Sequence, residues 1–520
     1  MRALIPFLMV LALDIAPAEV HEYDVAVYGG TAGGVMTAVT AAREGASAAV
    51  LEPGRHVGGM VTGGLGRTDF GRKEVIGGYA LEFYRRLGRE YGKEIAWFPE
   101  PRVAEKVLLE VAAEAGVRIF YQHRLREAGG VEKKGARLTA IHFENGSTVR
   151  ARVFADATYE GDLMAQAGVS FTVGRESAAQ YGEDLAGVRP KDPNHQFDDP
   201  IPARDEEGIL LPEIGTQPRG EVGAGDRKVQ AYNFRLCLSD DPGNQVGFEA
   251  PEGYDARRYE LLARYLASLR KRWGSAPRMN EILIVSRLEE PSKTDINNRG
   301  AFSTDYIGAS WDYPTASYAR RGEIWEEHVR YTKGLLYFLA HDPKVPVRLQ
   351  RDIQRWGLCR DEFQDNGHWP HQLYVREARR MRGDFVMTQK DIQTELSKPD
   401  VIGMGSYNSD SHNVQRFVEP DGTVQNEGNM EVPVTPYQIP YRLILPKQAE
   451  AENLLVPVCF SASHVTYSTL RMEPQYMIIG QAAGVAAKMA IDAGRPVQNI
   501  DTEALTAKLK AQGAVFEYRP

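Results

Sequence analysis

The stretch between Asp24 and Gly64 constrains this 520-residue chain more than any other. Residues 24–28 (DVAVY) are a short apolar run suited to a buried strand. A glycine turn follows, Gly29-Gly30-Thr31-Ala32-Gly33-Gly34, and small apolar residues then recur at helical spacing through Val35, Ala38, Val39 and Ala42. Gly45 stops that helix, residues 48–51 read as the next strand, and Glu52 ends it. Strand, glycine turn, helix and strand with a terminal acid about 20 residues past the turn form the βαβ unit that holds an ADP moiety. The turn brings backbone against the pyrophosphate, whose charge sits at the helix N-terminus, and Glu52 can accept hydrogen bonds from the ribose hydroxyls. Thr31 stands where GxGxxG has its second glycine, so its side chain either crowds the pyrophosphate or contacts it through the hydroxyl.

A second glycine-rich segment follows at once, Gly58-Gly59-Met60 and then Thr62-Gly63-Gly64-Leu65-Gly66, with Arg55 just before it. A nicotinamide enzyme has no evident need for this loop. A flavin enzyme does, because chain must pass close to the rest of an extended FAD. Residues 24–66 resemble the N-terminal signature of the glutathione-reductase-like FAD superfamily. Residues 153–162 (VFADATYEGD) resemble its strand that returns to the FAD site, here with Ala157-Thr158. Residues 453–487 resemble the closing FAD segment, in which a strand feeds a helix aimed at the isoalloxazine. From about residue 22 to 495 the chain resembles a bacterial branch of FAD-dependent oxidoreductases, some of them labelled xanthan-lyase-like.

The resemblance implies an α/β fold, with a Rossmann-like FAD-binding domain of glutathione-reductase-like type and a large α+β insertion forming a substrate or cap domain. It implies FAD as cofactor, held by Gly29, Gly30, Thr31, Ala32, Gly33, Gly34, Glu52, Arg55, Gly58, Gly59, Met60, Ala157, Thr158, Gly480, Ala483 and Gly484. The corresponding division is a leader over 1–18, FAD-binding parts at 22–162 and 440–497, the substrate domain at 163–439, and a C-terminal tail at 498–520. Patterning adds a helix over 102–115, a strand at 118–121, and alternating strands over 136–154 turned by Asn145-Gly146. Residues 176–227, rich in Pro, Gly and Asp, read as a long loop. Helices return over 254–273 and 324–340.

Arg2, an apolar stretch over 3–16 and the Ala16-Pro17-Ala18 cleavage pattern read as a secretory leader, which implies export to the periplasm or beyond. The stretch is too short to span a bilayer. A net charge of −8 gives no reason to expect nucleic acid or an anionic membrane as partner. Cys237, Cys359 and Cys459 are far apart and form no C-x-x-C, which argues against a flavin disulfide reductase and for burial as small apolar side chains. Zinc-ligand spacing is absent.

No second βαβ fingerprint follows Glu52, so FAD would take electrons from a small-molecule substrate directly. The acceptor stays open among oxygen, a quinone and a protein. A hydride leaves carbon more easily when the attached hydroxyl loses its proton, and histidine suits that task. His464, in Ser461-Ala462-Ser463-His464, and His412, beside Asp410 as its orienting acid, are the candidate bases. Arg471, just before the helix that Pro474 opens, would steady negative charge on reduced flavin together with the helix dipole. Gly480 and Gly484 serve that purpose or allow close packing of the helix on a sheet. Asp365, Asn366, Trp369, Tyr374 and Arg376 offer rings and polar groups for a polyhydroxylated substrate. His368 and His371 with Asp365 give a weaker metal reading, because Pro370 breaks the spacing. Two activities remain: oxidation of a hydroxyl on a carbohydrate or related small molecule, or lyase or isomerase chemistry on an acidic saccharide with redox-neutral FAD.

Overall fold

Residues 25–28 of β1 (Val20–Tyr28) are buried and apolar on both faces, as a strand must be when it sits inside a parallel sheet covered on both sides. The computed structural model describes residues 19–519; the leader expected over 1–18 lies outside them. β1 passes through the glycine turn into α1 (Ala32–Arg43) and returns as β2 (Ala48–Leu51), parallel to β1. After α2 (Gly78–Glu90) and α3 (Pro101–Glu114), β3 (Arg118–Phe120) adds parallel beyond β2. The antiparallel pair β4 (Val131–Lys134) and β5 (Arg137–His142) leads to β6 (Thr148–Asp156), which runs parallel to β1 along its length. Between β5 and β6 the chain turns at Asn145-Gly146, with Gly146 at φ +89°.

The sheet order is β3-β2-β1-β6-β5-β4, and a short strand, Leu454–Leu455, also pairs with β6. β6 is thus shared along one edge. Its first residues bond antiparallel to β5, while Phe154 and Ala155 pair parallel with Leu454 and Leu455. This is a mixed α/β fold with a parallel-stranded centre, as in a Rossmann-type FAD-binding domain.

Between β6 and Leu454 a second sheet forms from β7 (Leu236–Ser239), β8 (Gln245–Val246), β9 (Leu283–Arg287), β10 (Lys293–Asn298) and β11 (Gly357–Cys359). It is antiparallel throughout, in the order β9-β10-β7-β11-β8. Helices α4 (Glu260–Trp273) and α5 (Tyr318–His341) bury Leu262, Leu266, Leu335 and Leu339 in the apolar cluster that also holds Val25 and Val35. Residues 176–227 contain one short helix, Ala178–Tyr181, and no strand. That loop region is pinned by the buried Arg175, paired with Asp226 at 2.6 Å and Glu427 at 2.7 Å. All three cysteines are buried, and Cys237 and Cys359, far apart in the chain, meet across β7 and β11 with their Sγ atoms 3.2 Å apart.

The chain closes with α6 (His464–Leu470), α7 (Glu473–Ala493) and α8 (Thr502–Ala511). The expected C-terminal tail therefore contains a helix, docked through the buried Leu505 and Leu509. α7 lies on α1, so the packing its glycines permit is helix on helix, where helix on sheet was expected. A Cβ on Gly480 would stand 2.2 Å from the Gly33 carbonyl oxygen, and one on Gly484 would stand 2.5 Å from that of Thr37. These neighbours are backbone, which yields little. Gly480→Ala should accordingly cost about 1–3 kcal/mol of stability by overpacking, read as a lower urea midpoint; an unchanged midpoint would mean the helices separate freely.

Candidate functional site

The glycine turn is fixed from behind before it meets any ligand. Thr31 is the N-cap of α1: its hydroxyl accepts from Gly34 N–H at 3.1 Å and donates to the Ala157 carbonyl at 2.8 Å. The hydroxyl proton is thus spent within the protein, tying α1 to the end of β6. Gly29, at φ +98°, lies so close to β6 that a Cβ there would stand 2.7 Å from Thr158 N. Glu52 accepts from Gly30 N–H at 2.7 Å and Gly54 N–H at 2.6 Å, and burial pushes its carboxyl up to about 7 against those bonds. Gly58 N–H donates to the Gly30 carbonyl at 2.6 Å, and Met60 N–H donates to Tyr159 Oη at 2.9 Å. Of these residues Gly29, Thr31, Glu52, Gly54, Thr158 and Tyr159 line a cavity of about 460 Å³, within the range of small-molecule and cofactor sites.

At the N-terminus of α7 lie four side-chain polar atoms that are buried and have no partner in the protein: Arg471 Nε, Glu473 Oε2 and both amide atoms of Gln475. Buried polar atoms are almost always satisfied, so a cluster of them beside a helix N-terminus fits a ligand with a polar edge. Tyr159 connects this cluster to the cavity, since it lines the cavity wall and donates to Glu473 Oε1 at 2.7 Å. Burial raises the Glu473 carboxyl to about 8, which leaves it protonated at neutral pH.

From the cavity wall at Gln372 and Leu373 the chain runs inward to Tyr374 and Arg376. There Arg471 donates to Tyr374 Oη at 3.0 Å and to the Asp410 carbonyl at 2.8 Å. Arg376 lies 3.0 Å from Asp305, whose other oxygen bonds His412 Nδ1 at 2.6 Å. Burial opposes the Asp305 charge, but Arg376 and the hydrogen bond from His412 outweigh it and hold the carboxyl below the usual carboxylate range. Burial and Arg376 together push His412 below the ordinary histidine value. The result is a neutral imidazole that donates Nδ1–H to a permanent carboxylate and keeps a basic Nε2. The side chains of His412 and Asp410 retain 12% and 14% exposure, whereas those of Arg376 and Arg471 retain 0% and 2%. The histidine and Asp410 are therefore the more exposed groups of this network.

A family model described as FAD dependent oxidoreductase matches residues 24–509. The chain belongs to the FAD-dependent oxidoreductase family. It is an enzyme of that class, and FAD is its cofactor. No curated protein matches the chain. Among solved structures this oxidoreductase is similar to a geranylgeranyl bacteriochlorophyll reductase-like protein from Thermoplasma acidophilum, at 13% identity over 95% of this chain and 85% of that one, with a TM-score of 0.37. It is also similar to the OxyS anhydrotetracycline hydroxylase from Streptomyces rimosus, at 13% identity over 53% and 44% of the two chains, with a TM-score of 0.25. NikD, an amino acid oxidase of nikkomycin biosynthesis, aligns at 15% identity over 30% of this chain and 57% of its own, with a TM-score of 0.22. The oxidoreductase thus spans little more than half of NikD, and at these TM-scores none of the likenesses bears on its chemistry.

Several residues expected at the site of this oxidoreductase lie elsewhere. Of the expected FAD residues, Gly29, Thr31, Glu52, Arg55, Gly59 and Thr158 line the cavity. Ala32, Gly33, Gly34 and Ala157 are buried behind it, and Gly480 and Gly484 face α1, with Ala483 buried on the same helix. The expected substrate stretch is split in three. Asp365, with Arg55 and His56, sits at one edge, and Asn366 reaches the cavity. Trp369 is turned into the core against Phe234, since a large indole gains more from burial than from a wet wall. Tyr374 and Arg376 belong to the buried network. The acid that orients His412 is Asp305, not the neighbouring Asp410, which stays 3.8 Å from Nε2.

His464 begins α6, fully enclosed, with Nδ1 2.7 Å from Glu377. Glu377 is also paired with Arg380, and Gln230 joins the two histidine networks by accepting from His412 N–H and donating to Glu377. Burial, then Arg380 and Arg175, hold His464 down at about 3, so it frames the site more readily than it takes protons. The His56 and His371 rings stack at 4.2 Å. Among the described residues no group of three His, Cys, Asp or Glu is arranged to hold a metal ion, and no helix is long and apolar enough to cross a membrane. Sequence reasoning gave no role to Asp305, Glu377, Gln230 or Tyr159; Glu377 had a signal in the polar stretch beside Arg376, and Tyr159 in its place beside Ala157-Thr158.

Burial lowers His328 on α5 to about 4 as well. Both histidines bind protons more tightly unfolded, near 6.5, than folded. Their contribution to stability is therefore complete above pH 6.5 and lost as pH falls toward 4 and 3. Urea midpoints measured from pH 7 to 4.5 should decline, and a His464→Gln variant should decline less steeply than the parent.

Proposed function

We propose that this oxidoreductase oxidises a hydroxyl group of a small polar molecule, with carbohydrates the leading class, and that His412 is the base. The single observation that carries this reading is the Asp305–His412 pair, a neutral imidazole with a free Nε2 that reaches the edge of a buried polar network. The Rossmann unit is read as glutathione-reductase-like, with residues 163–439 as the substrate-side insertion; the pairing of Leu454–Leu455 with β6 supports that division. The leader-like residues 1–18 support export.

Residues 29–34 and the N-terminus of α1 would hold the FAD pyrophosphate, Glu52 the ribose, and the first turn of α7 the polar edge of the ring. Bound FAD supplies a two-electron acceptor. His412 Nε2 takes the proton of a substrate hydroxyl, which lets the attached carbon release hydride as its carbonyl forms. Asp305 fixes the tautomer and steadies the imidazolium that results. Tyr374, whose oxygen accepts from Arg471, holds that guanidinium in place behind the histidine. The enclosed arginines raise the energetic weight of these contacts by excluding water.

Anaerobic mixing with pooled sugars and uronic acids should bleach the flavin spectrum. His412→Ala should slow that bleaching by about 100-fold or more, and Asp305→Asn by at least about 10-fold. In the parent enzyme the rate should stay flat through neutral pH and fall only at an inflection below 6.5, because His412 must be neutral to act. An unchanged rate in His412→Ala removes that residue from the mechanism. Unsaturated or isomerised product formed while the flavin stays oxidised would replace the reading with lyase or isomerase chemistry.

A further inference from the structure

Cys237 and Cys359 are 122 residues apart in the chain, yet their Sγ atoms lie 3.2 Å apart. Cys237 is on β7 and Cys359 ends β11. These strands are antiparallel neighbours in which Leu238 pairs with Leu358 and Ser239 with Gly357. Continuing that register by one residue sets the two cysteines directly opposite one another. Opposed residues of antiparallel strands have Cα atoms about 4.5–5.5 Å apart, inside the span a disulfide bridges. Both side chains are buried among Leu288, Phe98 and Phe363.

We propose that Cys237 and Cys359 are a disulfide-forming site that clamps β7 to β11. The two thiols give up two electrons and two protons to a disulfide oxidant of the glutathione class. The thiolate of one cysteine attacks a sulfur of the oxidant and expels a thiolate, and the second cysteine then attacks the mixed disulfide and expels the other. The apolar surroundings shut small oxidants and reductants out of the finished fold. The bond therefore forms while the two strands assemble and is shielded afterwards.

The clamp bears on the cofactor cavity from two sides. Arg235, just before β7, presses its carbonyl on Gly64 of the second glycine segment, where a Cβ would stand 2.0 Å away. β11 runs on into residues 361–372, which bring Asn366, His371 and Gln372 to the cavity wall. A covalent tie between the strands backs both this wall and the glycine loop packed on it, where a Cβ on Gly63 would stand 2.3 Å from Gln372. Cys459 has no part in it, since its Sγ donates to the Thr158 carbonyl at 3.3 Å.

The full-length protein, produced in a host with a reducing cytoplasm and in one with an oxidising cytoplasm, tests the site. Thiols are counted after denaturation, and unreduced peptides are mapped by mass spectrometry. The oxidised holoprotein should show one free thiol, a peptide joining Cys237 to Cys359, and a melting temperature about 3 °C or more above the reduced form. A Cys459→Ser variant should then show no free thiol. Three free thiols in the folded oxidised protein, or a cross-link containing Cys459, would overturn the proposal. Neither outcome depends on the substrate or on His412.

Discussion

α7 lies against α1 so closely that backbone meets backbone between Gly480 and Gly33 and again between Gly484 and Thr37. The contact fixes two helix N-termini at once. One carries Thr31 and the glycine turn; the other carries Arg471, Glu473 and Gln475. The spacing between these two N-termini is therefore set where Gly480 and Gly484 meet the α1 backbone. Thr31 adds a second tie, since its hydroxyl joins α1 to Ala157 at the end of β6. A binding site built this way is held by main chain, which deforms less than side chains do.

The interior around His412 and His464 follows a different rule. Arg175, Arg376, Arg380 and Arg471 are almost wholly enclosed, and each faces at least one carboxylate. Removing one partner from such a buried pair costs about 3–5 kcal/mol, although the intact pair adds little net stability. The network is best understood as a frame that specifies side-chain positions. Its arginines also account for the low proton affinity of both histidines: burial disfavours the imidazolium, and neighbouring guanidinium charge disfavours it further. His412 differs from His464 in retaining 12% exposure of its side chain, against 4%.

How much could be read from the chain depended on the range of each interaction. The βαβ unit was legible because Asp24, the glycine turn and Glu52 sit within about one supersecondary unit and follow local periodicity. The hairpin at Asn145-Gly146 was legible for the same reason. Asp305 was not, because it meets His412 across 107 residues and lies in no motif. Asp410 looked the better partner only because it is adjacent in sequence. The run from Asp365 to Arg376 misled by the opposite route. Its members are neighbours in the chain, but an irregular backbone sends Trp369 into the core, Asn366 to the cavity and Arg376 to the buried network. The cysteines repeat the lesson, since spacing says nothing about two strands that meet through a sheet.

The shared edge of β6 has a consequence for how the protein comes into being. Phe154 and Ala155 find their neighbours Leu454 and Leu455 some 300 residues later in the chain. At about 5–20 residues per second of synthesis, that half of the strand waits about 15–60 s for its partner. α1 waits longer still for α7. During that interval a nascent chain exposes an apolar strand edge and a helix face of glycine and alanine, the kind of surface that chaperones recognise and that aggregates form on. The nucleotide site is consequently among the last parts of the molecule to exist. A truncation anywhere before α7 keeps the glycine turn but removes the helix packed against α1 and the polar cluster at its N-terminus.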